Sequence, residues 1–341
     1  MSLRAVLHPR QAAHDPKMFL ANGVTSDNPE QPARIEALRS GAEAAGAVFE
    51  APQDHGIGPI AAIHPAEYLD FLQNIHKRWA RMEGASDEVI PNIHPGRHGL
   101  SRPDGMVGQA GWHMADTACP IAAHTWEAAY WSAQTALSAA AIAESDGAAY
   151  ALCRPPGHHA FADMAGGFCF LANAAIAADA LRGRGARVAI LDVDVHHGNG
   201  TQGIFYDRGD VLTLSIHADP ARFYPFFWGH AHERGTGAGE GANLNLPLAR
   251  RTADEGYFEA LDKALARIAA FGADAVVVAL GLDAHEDDPF QGLAVTTEGF
   301  ARMAGRIAGL GLPAVIVQEG GYLQSKLGEN LTSFLSGYQD R

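Results

Sequence analysis

Apolar runs too short to be helices, each stopping at a cluster of polar residues, restrict the fold of this chain more than any other feature. Arg187-Val188-Ala189-Ile190-Leu191 leads into Asp192, Asp194, His196 and His197. The run at 148–153 leads into His158 and His159, Val276-Val277-Val278-Ala279-Leu280 into Asp283, and Ala314-Val315-Ile316-Val317 into Glu319 and Tyr322. Such runs read as buried strands. Further strands are expected at 4–7 and 211–216, with helices near 32–38 and at 126–144, 172–181 and 255–270. Strands separated by helices make βαβ units, so the expected class is α/β: a single-domain, open, mostly parallel β-sheet flanked by helices. In a parallel sheet the carboxyl ends of the strands share one edge, and ligands bind in the crevice there. Residues remote in sequence then converge.

A chain of 341 residues, 47% hydrophobic, has room for the large core that such a sheet needs. Its 39 acidic against 25 basic residues give a formal net charge of -14. That balance argues against a nucleic-acid partner and suits a small cationic substrate. Three cysteines (Cys119, Cys153, Cys169) without a CxxC pair suggest neither a disulfide framework nor a thiolate zinc site. No apolar run approaches membrane-spanning length, and the first residues lack the apolar core of a signal peptide. No membrane association and a cytoplasmic location are the expectations. The one long irregular stretch, 83–119, is rich in Gly, Pro and His and is expected to serve binding or assembly rather than to be a disordered excursion.

Asp192, Asp194, His196 and His197 resist desolvation, and at the end of a buried strand they need a compensating partner. A dinucleotide is one candidate, because Gly198-Asn199-Gly200-Thr201-Gln202-Gly203 matches G-x-G-x-x-G and Asp219 falls near the position of a ribose-binding acid. A pyrophosphate there would face Asp192 and Asp194, so this reading is set aside. A metal ion fits better. Alternation along a strand places Asp194 and His196 on one side, and Asp283 arrives from a neighbouring strand. Two carboxylates and an imidazole neutralise a divalent cation and leave positions open, the layout of a catalytic zinc site. Such an ion activates water and polarises a carbonyl. One of the tandem histidines can then move the proton between water and leaving amine, and Tyr322, on its Gly-Gly turn, can donate to the oxyanion. A lone histidine is more often a surface or core residue, and the chain has 17. Two His-His pairs, an Asp-x-His and a third Asp, all at strand ends, make that reading poor here.

The segments RPPGHHA, GGFCFLANAAIAA, LDVDVHHGNGTQ, SIHADP, GLDAHEDDP and VQEGGY resemble the zinc-dependent histone deacetylase superfamily, in order over nearly the whole chain. Within it the HTWEAAYWSAQ helix, the EGGY ending and the long loop look most like the bacterial acetylpolyamine amidohydrolase branch. The resemblance implies the arginase-deacetylase fold and one zinc per subunit on Asp194, His196 and Asp283. It implies His159 as general base and acid, with His158 mainly electrostatic and supported by Asp192. Asn199 stands where many relatives place an Asp partner, which would leave His159 less basic. A structural potassium ion is implied at Asp192 and Ser215 with carbonyls of Asp194, His196 and Ile216. Gly167, Phe168 and Tyr224 would wall a tunnel with Phe290 at its rim. Acidic loop residues that meet a distal ammonium in that branch correspond here to Asp116, while the other position is Val107. A homodimer through the long loop is expected.

The function expected is zinc-dependent removal of acetyl groups from acetylated polyamines or related small amines. Deacetylation of acetyl-lysine in proteins is the alternative, and Asp116 would then hold a substrate backbone. A catalytically inactive acyl-amine binding protein would have no need of His158, His159 and Tyr322 together. A binuclear ureohydrolase shares the Asp-Ala-His run at 283–285, but its second set of bridging ligands is not apparent.

Overall fold

The computed structural model describes residues 2–96, 99, 101–183 and 185–340. Ten strands are named here in chain order. They are β1 (Arg4–Val6), β2 (Met18–Ala21), β3 (Val24–Asp27), β4 (Val48–Glu50), β5 (Ala148–Ala151), β6 (Val188–Asp192), β7 (Val211–Ala218), β8 (Asn243–Leu248), β9 (Ala275–Leu280) and β10 (Ala314–Gln318). Eight of them form one sheet in the order β4-β1-β5-β10-β9-β6-β7-β8, and every pairing in it is parallel. The four strands whose ends carry the polar clusters, β5, β10, β9 and β6, are consecutive at the centre. That adjacency places the clusters together.

Period-two alternation splits the core into two layers. Val188, Ile190, Val277 and Val317 pack on one face against the helices Ala66–Trp79, Thr125–Asp146 and Asn173–Arg182. Ala189, Leu191, Val278 and Ile316 pack on the other against Ala33–Ala44, Asp254–Phe271, Thr297–Ala308 and Leu327–Gln339. Central strands covered on both faces explain why their sequence reads as continuous apolar runs. Among the described residues no helix is long and apolar enough to cross a membrane.

Two sequence expectations need correction. The stretch 83–119 is not irregular throughout: Met106–His113 is a helix, and Val89 bridges to Ile121 and Met114 to Ala165. Arg97, His98 and Leu100 of that stretch lie outside the described residues. Strand alternation also does not bring Asp194 and His196 together, because β6 ends at Asp192. They meet in a turn, where the His196 backbone N–H donates to Asp194 Oδ1 at 2.8 Å. The turn achieves what the alternation argument expected, by other means.

Buried neutral histidines set an acid limit on this fold. Burial holds the pKa of His14 down at about 3 and that of His64 at about 4. His64 bridges the Ala162 carbonyl (Nδ1, 2.7 Å) and the Ala172 N–H (Nε2, 3.0 Å). In the unfolded chain both titrate near 6.5, so below that pH the unfolded state binds more protons and the folded state loses ground. The stability is intact above pH 6.5 and lost as pH falls toward 4, by roughly 3 kcal/mol per histidine. Urea midpoints should therefore drop steeply between pH 6.5 and 4.5, and His64→Gln should flatten that slope. A midpoint as steeply pH-dependent in His64→Gln as in the parent chain would contradict this assignment.

Candidate active site

The ends of β6 and β9 bring Asp194, His196 and Asp283 together so that one ligand atom from each lies within 4.8 Å of the others. His196 Nδ1 is 3.2 Å from both Asp194 Oδ1 and Asp283 Oδ2. The remaining oxygens are fixed by backbone donors: Gly320 N to Asp194 Oδ2 at 2.8 Å, and Val195 N to Asp283 Oδ1 at 3.0 Å. All three residues are buried. A Cβ at position 320 would collide with both carboxylates, so only glycine lets the β10 turn close over them. Burial and the Asp194 charge push Asp283 up to about 6, while the two carboxylates outweigh burial and lift His196 to about 9. Two buried carboxylates facing one imidazole are a donor set that a divalent cation neutralises.

The loop after β5 places His158 and His159 beside this group. His158 Nδ1 is 2.9 Å from Asp192 Oδ2, and His159 Nδ1 is 2.7 Å from Asn199 Oδ1. The two rings, 4.0 Å apart, are driven in opposite directions. Burial opposes a charge on His158, but Asp194 and Asp192 outweigh it and hold its pKa up at about 10. Burial, with His158 and His196 nearby, drives His159 well below the ordinary range. A charged and a neutral imidazole side by side can stabilise charge and accept a proton respectively.

Tyr322 follows β10 and is 4% exposed. Burial and Asp283 raise its pKa well above the usual value, so its hydroxyl stays a donor at neutral pH. Its ring packs against Phe168 (5.6 Å between centroids) and Phe290 (4.8 Å). Together with Tyr224 and Gly167 these residues line a narrow cavity of about 130 Å³ that reaches His159 and His196. Gly167 (φ +50°) is another enforced glycine, since a Cβ there would press into the His159 ring and the Tyr224 hydroxyl. Phe168 itself sits at φ +69°, a strained conformation for a bulky residue.

Asp116 lies beside this wall rather than free at its mouth. Its carboxylate accepts from the Tyr224 hydroxyl (2.7 Å), Ala118 N (2.8 Å) and Gly167 N (3.2 Å). Val107 packs against the core from the Met106–His113 helix. Ser215 is the register partner of Asp192 across the β6–β7 ladder, with its hydroxyl 2.8 Å from His217 Nδ1. Ile216 follows it within β7. His285 accepts from Asp287 N at 3.1 Å and takes no part in the Asp194–His196–Asp283 group.

Sequence reasoning gives no role to several residues of this region, among them Glu319, which it places only in the cluster after the last apolar run. Phe19, on the β2–β3 hairpin, lies 5.6 Å from Phe168 and 6.5 Å from Phe290 and joins the cavity wall. Phe223 stacks on His196 at 5.0 Å. Glu319 Oε2 accepts from Gly157 N (2.6 Å) and His158 N (3.0 Å), pinning the histidine loop to β10. Asp288 accepts the Tyr322 N–H at 3.2 Å. The Asn22-Gly23 pair was a readable hairpin signal; a buried acid within an acidic run such as 286–288 carries none.

Comparison with known proteins agrees with this geometry. The histone deacetylase domain family matches residues 28–338. The acetylpolyamine amidohydrolase of Burkholderia pseudomallei (strain 1710b) is 50% identical over 333 residues, covering 97% of each chain. Acetylpolyamine amidohydrolase 1 of Pseudomonas aeruginosa is 49% identical over 295 residues, 85% of each chain. A crystal structure of acetylpolyamine aminohydrolase from Burkholderia pseudomallei superposes with a TM-score of 0.95 at 48% identity over 99% of both chains. The HDA15 HD domain gives 0.82 at 27% identity, over 99% of this chain and 90% of that one. With a family match spanning nearly its whole length and relatives at half identity, this chain belongs to the histone deacetylase family.

Proposed function

We propose that this chain, as one catalytic domain, is a zinc-dependent deacetylase that hydrolyses acetylated polyamines or related small amines. The observation that carries this is the buried Asp194–His196–Asp283 group at the inner end of an aromatic tunnel that also receives His159 and Tyr322. Asp194, His196 and Asp283 would hold one zinc ion. Bound there, it supplies Lewis acidity toward a carbonyl and toward water. The chain's own residues do the rest. With Asn199 Oδ1 accepting from Nδ1, His159 presents a lone pair at Nε2, takes a proton from the attacking water and returns it to the departing amine. His158, held charged by Asp194 and Asp192, stabilises negative charge nearby. The Tyr322 hydroxyl donates to the carbonyl oxygen as it becomes an oxyanion. The C–O bond forms first; the tetrahedral adduct then collapses, the C–N bond breaking as the amine nitrogen takes the proton from His159, to give acetate and the free amine.

We infer a structural potassium ion under the site, held by Asp192, Ser215 and the carbonyls of Asp194, His196 and Ile216; the burial and shared register of Asp192 and Ser215 support it. Pairing of two chains through the 83–119 loop is supported by Ile93, which is 61% exposed beside a groove of about 270 Å³ that Pro103 and Trp112 also line. A cytoplasmic location accords with the three buried free thiols of Cys119, Cys153 and Cys169.

The substrate class is tested by assaying zinc-loaded protein against acetylputrescine, acetylcadaverine and an acetyl-lysine peptide side by side. A kcat/KM at least tenfold higher for the diamines is expected; preference for the peptide would overturn the small-amine reading. Asp116 refines the test. A carboxylate offers about four acceptor sites and three donors already occupy this one, so its pull on a distal ammonium is moderate. Asp116→Asn should raise KM for acetylcadaverine by a few-fold more than for a neutral acetylated amine of equal length, below the full worth of one charge-assisted hydrogen bond because most of the acceptor capacity is taken. Equal increases would mean that Asp116 acts only by placing Tyr224 and Gly167.

A further inference from the structure

Behind the site lies a buried ionic cluster that the mechanism above does not use. Glu30, Arg34 and Arg154 are 0%, 0% and 1% exposed. A single carboxylate oxygen, Glu30 Oε1, accepts from both guanidinium groups: Arg34 Nη1 at 2.6 Å and Arg154 Nε at 2.8 Å. Burial alone would raise the Glu30 pKa, but Arg154 and Arg34 more than offset it, so the carboxylate is ionised. Unpaired, any one of these charges would be strongly destabilising in such a place.

Each arginine leads to a different catalytic loop. Arg34 donates from Nε to the Gly321 carbonyl (2.6 Å) and from Nη2 to the Glu319 carbonyl (2.7 Å), one and three residues before Tyr322. Its guanidinium lies 5.1 Å from the centre of the Tyr322 ring. Arg154 opens the loop that carries His158 and His159, four and five residues further on. It is held at its backbone by Gln11 Oε1 (2.5 Å) and at its side chain by the Gln11 carbonyl (2.9 Å) and Glu30. The loop after β5 and the turn after β10 thus meet at one carboxylate that comes from neither strand. Glu319 ties the same two loops directly, through Gly157 N and His158 N.

We propose that Glu30 is a positioning residue for deacetylation: through Arg34 and Arg154 it fixes the Tyr322 turn relative to the His158–His159 loop. A misplacement of about 1 Å between reacting groups can cost on the order of 100-fold in rate, so the effect falls on the chemical step. Glu30 itself touches neither the tunnel nor the Asp194–His196–Asp283 group, so the loss is expected in kcat ahead of KM or metal content.

The test is a double-mutant cycle between Glu30→Gln and Tyr322→Phe, with kcat, KM, zinc per chain and melting temperature measured on each protein. Glu30→Gln should bind zinc as the parent does, keep KM within about threefold and lose roughly 10- to 100-fold in kcat. In the Tyr322→Phe background the same change should cost at least threefold less, because part of what Glu30 positions is already gone. A merely stabilising role gives a lower melting temperature with unchanged kcat per folded molecule, or equal fold-losses in both backgrounds; either result overturns the proposal. Should Glu30→Gln fail to fold, Arg34→Lys carries the same cycle, since it keeps the charge and loses the fork that grips both carbonyls. The inference rests on the deacetylase reading for its assay, and the two fail differently. If that reading is wrong, the parent chain itself does not turn over acetylcadaverine; if Glu30 is misassigned, the parent is active and Glu30→Gln equally so.

Discussion

Asp283→Ala should lose both the metal and the activity, with zinc below a tenth of an equivalent where the parent chain holds one. Turnover should fall by at least roughly 10⁴-fold, given that Lewis-acid stabilisation is worth several kcal/mol and each 1.4 kcal/mol is tenfold. With the ligand gone, the donor set is one carboxylate and one imidazole. The metal-free variant should nonetheless fold. Burial and the Asp194 charge push Asp283 up to about 6, so removing this carboxylate relieves an unfavourable buried charge at the cost of its contacts with the Val195 N–H and His196 Nδ1. Its melting temperature without metal should lie within a few degrees of the metal-free parent, and added zinc should raise only the parent's, as binding to the folded state alone requires. Elemental analysis and thermal melts read both effects. Two equivalent transition-metal ions per parent chain would sink the mononuclear reading and restore a binuclear ureohydrolase.

How much of this was legible beforehand followed burial. The central strands were readable because a strand covered on both faces must be apolar throughout; the run from Val276 to Leu280 falls within β9, Ala275–Leu280. The edge strands β4 and β8 escaped, since β4 is three residues of mixed character with Val48 exposed. The helix at Met106–His113 contains two glycines and begins after a Pro-Asp-Gly stretch, so local propensity spoke for a loop while packing on the core decided otherwise. The site was legible where chemistry needs a rare residue type at a strand end, as with Asp194, His158 or Tyr322. It was not legible where an ordinary residue serves through a long-range contact. Nothing in the local sequence says that Glu30 meets Arg154, 124 residues away, or that Asp288 accepts the Tyr322 N–H. Asp116 was matched through the resemblance either to an ammonium receptor or to a holder of a substrate backbone, and nothing in its local sequence says that the fold gives most of its acceptor capacity to Tyr224, Gly167 and Ala118.

Tyr322→Phe isolates a single atom, and the packing makes it a clean substitution. The ring keeps its contacts with Phe168 and Phe290, its place by the Arg34 guanidinium, and the backbone bond from its N–H to Asp288. Only the hydroxyl is lost, and the protein should fold and bind zinc as before. Since burial and Asp283 keep that hydroxyl protonated, what disappears at neutral pH is a donor rather than a charge. A donor that strengthens only as the carbonyl oxygen gains charge contributes to kcat and little to substrate binding. The expected result is a fall in kcat of roughly 10²–10³-fold, the usual scale for one oxyanion donor, with KM changed by less than about threefold. Affinity for an uncharged, non-hydrolysable acetamide should move equally little. Near-full turnover in Tyr322→Phe would remove Tyr322 from the mechanism. A raised KM with kcat intact would make it a ground-state contact, and the search for the oxyanion donor would then turn to the charged His158, whose ring lies 4.0 Å from that of His159.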